Sequence, residues 1–110
     1  MDIREYQEKA ERTINYGLNF NEQVSNLCMG LAGETGEVID IIKKCFYHGH
    51  KLDKEKLTEE IGDVMWYLTN IATLFILPMG NILDVNIKKL EERYPEGFSE
   101  EKSINRKEYK

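Results

Sequence analysis

Four acidic residues in two spaced pairs, Glu34-Thr-Gly-Glu37 and Glu60-Ile-Gly-Asp63, have the types and spacing that chemistry could use. A step of three puts both acids of a pair on one helix face, about 5–6 Å apart at their Cβ atoms. Each pair also borders an apolar stripe: Glu34 lies between Leu27 and Val38, and Glu60 between Leu57 and Val64. Acids at a core edge are rare unless they are paired or bind a cation. If the two helices pack antiparallel, the pairs converge. Two carboxylates about 5 Å apart repel by roughly 3 kcal/mol at an effective dielectric near 20, so protons, lysines or a metal must compensate. An oxygen-only ligand set with open positions suits Mg²⁺, with Mn²⁺ as a substitute. A di-iron centre fits poorly, because Glu37 and Asp63 stand where that chemistry wants histidine. One such pair alone would read as solvated helix acids. Two at core edges, each with a glycine before its second acid (Gly36, Gly62) and with Gly30 and Gly33 nearby, favour a site. Helix glycines cost about 1 kcal/mol each, so their clustering suggests that room is needed.

The elements that position these acids follow from periodicity. Ile3, Tyr6, Ala10 and Ile14 mark one face of a first helix. Asn19 with Glu22 forms a capping-box pattern, Asn21 being nearly as good a cap, and opens a second helix to about Phe46. Its stripe is Val24, Leu27, Leu31, Val38, Ile42 and Cys45. Asp53 caps a third helix, with Leu57, Ile61, Val64, Leu68, Ile71, Ala72 and Phe75 on its core face and an end at Pro78 or just before it. Asn81 with Asp84 opens a fourth, striped by Leu83, Ile87, Leu90 and Tyr94 and stopped at Pro95 and Gly97. No period-two alternation occurs, so the expected fold is all-α and of four-helix-bundle type. One domain spans residues 1–110, with 98–110 as a charged surface tail.

Further candidates line up with the acids. Lys56 lies one turn before Glu60, and Asn86, Lys89 and Arg93 form a polar and basic rail along the fourth helix, suited to a triphosphate or else simply a solvated flank. Tyr67, one turn beyond Asp63, is a base-stacking candidate or a core-edge aromatic. His50 is a loop histidine that could touch substrate. Glu34, the most apolar-flanked acid, is the candidate for activating water, although a ligand role serves it as well. Trp66 falls opposite the core stripe and predicts an exposed contact surface, unless the first helix or the tail covers it.

Three ordered segments carry a resemblance over nearly the whole chain: Gly30-Leu-Ala-Gly-Glu34-Thr-Gly-Glu37-Val, Glu60-Ile-Gly-Asp63-Val-Met-Trp66-Tyr67, and Asn86-Ile-Lys-Lys-Leu-Glu-Glu-Arg93-Tyr-Pro-Glu-Gly-Phe98. Together with Tyr6-Gln7 and Ser103-Ile-Asn-Arg106, they resemble the MazG-like all-α nucleoside triphosphate pyrophosphohydrolases. The resemblance implies Mg²⁺-dependent cleavage between the α and β phosphates, in a house-cleaning or pool-controlling role. It also implies Glu34, Glu37, Glu60 and Asp63 as metal ligands, Lys56 as a site lysine, and a homo-oligomer, dimer or tetramer, that completes the bundle. A helical nucleotide- or metal-binding protein without turnover, a plain helical interaction module and a phosphoribosyl-ATP pyrophosphohydrolase are the alternatives.

Composition narrows the partners. The chain has 110 residues, 41% hydrophobic and 32% charged, with 20 acids against 15 bases and a net charge of −5. That balance argues against a nucleic-acid partner. The chain carries no signal-like start and no apolar run of membrane length, so the expectation is a soluble, cytoplasmic protein without a membrane partner. Cys28 and Cys45 fall on apolar helical positions and read as buried structural thiols; Cys-x-x-Cys spacing is absent.

Overall fold

The computed structural model describes residues 1–106; residues 107–110 of the predicted surface tail lie outside them. Among the described residues the architecture is all-α, in five helices: α1 (Ile3–Glu11), α2 (Phe20–Tyr47), α3 (Lys54–Leu74), α4 (Met79–Arg93) and α5 (Glu100–Ile104). Among the described residues no single helix is long and apolar enough to cross a membrane.

The starts of the first three helices are written locally. Asp2 accepts from the Glu5 amide at 2.8 Å. Asn19 accepts from the Glu22 amide at 2.9 Å while Glu22 accepts from the Asn19 amide at 3.1 Å, so the capping box forms at Asn19. Asp53 accepts from the Lys56 amide at 3.0 Å. The fourth start differs from expectation. α4 begins at Met79 after Pro78, without a side-chain cap, and Asn81 and Asp84 lie inside it. The reason is tertiary: Gln7 Oε1, on α1, accepts from the Met79 amide at 2.8 Å. Ser99 likewise caps the short α5, accepting from the Lys102 amide, where the sequence suggested only a tail.

α2 and α3 pack against each other along their length as the spine of the chain, with α1 lying on α3 and α4 packed against α1. At the α3–α4 bend the two axes differ by 106°. Gln7 stitches that corner: Nε2 donates to Thr73 Oγ1 and to Leu77 O, both at 3.0 Å. Trp66 belongs to the same seam. Its Nε1 donates to Thr13 Oγ1 at 2.8 Å, so the segment after α1 leaves half-buried a tryptophan that was expected to form an exposed contact surface.

The core is not where the stripe on α3 put it. Only Ala72 of that stripe is buried, whereas Ile61, Leu68 and Phe75 are about half exposed. The fully buried α3 residues are Thr69 and Asn70, with Asn70 Nδ2 donating to Ala10 O at 3.3 Å. α1 and α2 occupy the flanks of α3 and leave its apolar ridge open. The apolar residues of α4 are similarly exposed, from Leu83 and Val85 to Ile87 and Leu90. The radius of gyration is 17.2 Å, against about 13 Å for a compact domain of this length. The thiol expectation is corrected too: Cys28 is exposed and Cys45 half-buried. Both sit on α2, about 25 Å apart along its axis, too far for a disulfide.

Candidate functional site

Antiparallel packing of α2 on α3 brings Glu34 opposite Glu60 and Asp63. One carboxylate oxygen from each lies within 4.8 Å of the others. Glu34 and Glu60 are half-buried, and Asp63 is exposed. Glu34 Oε2 is buried and has no hydrogen-bond partner. The Glu60 carboxylate, as an acceptor for a proton on Glu34, then burial, then the charges of Glu60, Asp63 and Glu37 push the Glu34 carboxyl up to about 7. Two carboxylates can share a hydrogen bond only when one holds a proton; otherwise a cation must lie between them. An orphaned buried oxygen beside two further carboxylates is the donor set a hard divalent cation takes. The residues fit such an ion.

Glu37 stands outside this group, one turn further along α2. It lines a cavity of about 210 Å³ with Asp40, Ile41, Lys44, His50, Lys51, Asp53 and Lys56. Of the predicted site residues, His50 and Lys56 line this cavity with Glu37. Lys44 and Lys51 are additions that sequence reasoning missed. Lys44 lies two turns after Glu37 on the same helix face, a periodicity that could have flagged it. Its ammonium sits 2.9 Å from Asp40 Oδ2, which holds the Asp40 carboxyl below its ordinary range. Tyr6, on α1, is a third addition: burial and the charge of Asp63 hold its phenol above its usual value.

Gly30 explains how the helices come this close. A Cβ there would overlap the ring of Tyr67, which packs across the α2–α3 seam with its edge toward Trp66 at 4.9 Å between centroids. Gly33, Gly36 and Gly62 face open space, so the expectation that glycines make room holds within the protomer at Gly30. Asn86, Lys89 and Arg93 ride on α4, which packs on α1, so the basic rail stands on a different element from the two that carry the acids. Arg93 is half-buried, with Nε shielded from solvent.

With this geometry in place, comparison with known proteins is specific. The model of the MazG nucleotide pyrophosphohydrolase domain matches residues 22–98, a span that contains all four carboxylates, the cationic cavity and α4. The chain is also similar to a protein called Gene 37 protein from Mycobacterium phage L5. The two are 30% identical over 89 residues, covering 77% of this chain and 78% of that one. No solved structure gives a significant match.

Proposed function

The chain belongs to the MazG nucleotide pyrophosphohydrolase family, and from that premise we propose that it hydrolyses a nucleoside triphosphate at the α–β anhydride, giving the monophosphate and pyrophosphate. The observation that carries this reading is the carboxylate triad Glu34, Glu60 and Asp63 at the α2–α3 seam, next to a cavity lined by Lys44, Lys51 and Lys56.

Glu34, Glu60 and Asp63 would hold Mg²⁺, with Mn²⁺ as a substitute and Glu37 able to join from the cavity edge. Bound there, the cation offsets the charge of phosphate oxygens and makes a coordinated water more acidic. The remaining work falls to the chain itself. The lysines and His50 form a cationic wall, while the carboxylates repel an anion. A polyphosphate chain is thereby oriented with its outer phosphates toward the cavity. Glu34, raised to about 7 by its acidic neighbours in the metal-free protein, would give up that proton on ligating the cation. Tyr67, bound into the helix seam over Gly30, offers a ring edge near Asp63 for the nucleoside. The basic rail of α4 could meet the triphosphate in a homo-oligomeric working unit.

A panel of nucleoside triphosphates assayed for pyrophosphate release with and without Mg²⁺ tests the proposal. Metal-dependent release of equimolar pyrophosphate and monophosphate is expected. Binding of nucleotide without release would leave a binding protein, and orthophosphate as the first product would place the cut at the wrong bond.

A further inference from the structure

We propose that Asp40 is a positioning residue for Lys44: it holds that lysine until a phosphate arrives, yields it, and so sets how tightly the cavity grips phosphate. The inference rests on the proposed reading of this cavity as the seat of the outer phosphates, and assigns the residue that governs their affinity and release.

Charge in the cavity is balanced more evenly than an anion site requires. Its walls carry Lys44, Lys51 and Lys56 against Glu37, Asp40 and Asp53. Two of these acids have other work. Asp53 caps α3, accepting from the Lys56 amide at 3.0 Å. Glu37 lies one turn from Glu34 on α2 and adds its charge to the carboxylate group. Asp40 is given over to lysines: Oδ2 lies 2.9 Å from Lys44 Nζ, and Oδ1 lies 3.6 Å from Lys43 Nζ. The hydrogen bond with Lys44 holds the Asp40 carboxyl below its ordinary range and the Lys44 ammonium above its own, so both partners stay charged.

Lys44 is fixed at its backbone and loose at its tip. Its carbonyl accepts from the amides of His48 and His50, both at 3.1 Å. Gly49, at φ 72°, makes the reversal between them. The loop that brings His50 and Lys51 to the cavity is therefore tied to Lys44. The ion pair itself stands in water, with the Lys44 side chain 46% exposed and that of Asp40 38%. Exposed pairs of this kind contribute little and exchange readily. A phosphate group carries more charge than a carboxylate, and an ammonium on a flexible stem can turn to meet it. The Lys43 contact completes the exchange. Asp40 keeps Lys43 when Lys44 swings to phosphate, so no carboxylate is left unpaired beside an anion.

A moderate grip follows. Phosphate must displace a carboxylate before it gains Lys44, and on release the carboxylate recaptures the ammonium. Both effects weaken the hold on pyrophosphate and speed its departure, the step that sets kcat in many enzymes. Neutralising Asp40 should tighten the hold.

Calorimetric titration of pyrophosphate with Mg²⁺ tests the inference on the wild type, Asp40→Asn, Asp40→Glu, Lys44→Met and the double variant Asp40→Asn/Lys44→Met. Asp40→Asn should bind at least about five-fold tighter than the wild type, because a like charge leaves the anion's surroundings. Asp40→Glu keeps the charge and still reaches Lys44 at the i, i+4 step, so it should bind within about two-fold of the wild type. Lys44→Met should bind at least about five-fold more weakly, and adding Asp40→Asn to it should change affinity by less than about two-fold, since the two residues act as one. In steady-state assays Asp40→Asn should lower KM without raising kcat, a split that damage to the fold would not give. Unchanged or weaker pyrophosphate binding in Asp40→Asn, the full gain persisting in the Lys44→Met background, or no binding by any of the chains would overturn the inference. Turnover keeps the two readings apart. Tighter binding in Asp40→Asn by chains that hydrolyse no nucleoside triphosphate would sink the proposed function alone. Unaltered binding in Asp40→Asn by active chains would sink the role of Asp40 alone.

Discussion

The two halves of α3 each press polar groups against a neighbouring helix, under opposite conditions. In the second half, Asn70 donates to Ala10 O, and Thr73 accepts from Gln7 while donating to Thr69 O at 3.1 Å. These are neutral groups whose bonds fix how α1 lies on α3, although Thr69 Oγ1 and Asn70 Oδ1 stay buried without partners. In the first half, Glu60 and Asp63 meet Glu34, acceptor against acceptor and like charge against like. Such an arrangement does not hold two helices together. It needs positive charge from outside the chain, and that need separates the part of α3 that builds the fold from the part kept for use.

The sharpest way to break the contrast is to neutralise the acids. Asp63→Asn or Glu60→Gln should lower kcat/KM for pyrophosphate release by at least about 100-fold, as loss of a charged ligand does, with helix content unchanged. The metal-free melting temperature should hold or rise as repulsion is relieved. Glu37→Gln, outside the triad, should cost less. Half the wild-type rate surviving in Asp63→Asn at saturating Mg²⁺ would remove the first half of α3 from the chemistry.

The reverse pattern is expected in the second half. Gln7→Ala removes three hydrogen bonds at the corner of α1, α3 and α4. A loss of about 2–3 kcal/mol would lower the melting temperature by roughly 10 °C or more. Turnover per folded molecule should stay within about two-fold. A large fall in kcat with normal melting would blur the division between the halves.

At the seam between α2 and α3, Gly30→Ala should destabilise by about 1–3 kcal/mol as Tyr67 is displaced. Gly33→Ala, into open space, should stabilise by up to about 1 kcal/mol through helix propensity. Denaturant melts of the two variants, run side by side, should move in opposite directions.

A further effect is in pH. The folded Glu34 carboxyl keeps its proton up to about 7 instead of its ordinary 4.5. The folded state therefore binds more protons between those values, and the stability this contributes is full below 4.5 and lost as pH rises through 7. Metal-free protein should melt progressively lower from pH 5 to pH 8. Saturating Mg²⁺, competing with the proton, should flatten the slope. A metal-free melting temperature that rises over this range would contradict the sign.

The first four helices, the caps at Asn19 and Asp53 and the carboxylate pairs were legible because each is encoded within a few residues; α5 and the Asp2 cap were not read. Asn19 and Asp53 need only their own third neighbours. What failed was written at long range. The start of α4 depends on Gln7, 72 positions away in sequence. Trp66 is tied to Thr13, and the burial of Thr69 and Asn70 is decided by where α1 lands. Periodicity finds the apolar ridge of α3 but cannot say whether the same chain covers it. Lys44 and Lys51 entered the site only once the α2–α3 turn closed a cavity around them.

The central claim is that the acids of α2 and α3 form one divalent-cation site. Titrating Mn²⁺ against the metal-free protein, with free ion followed by electron paramagnetic resonance, tests it most directly. The account predicts saturable binding to the wild type, weakened at least about ten-fold in both Glu34→Gln and Asp63→Asn, one acid from each helix. Wild-type binding that neither substitution changes, or no saturable binding at all, would contradict it.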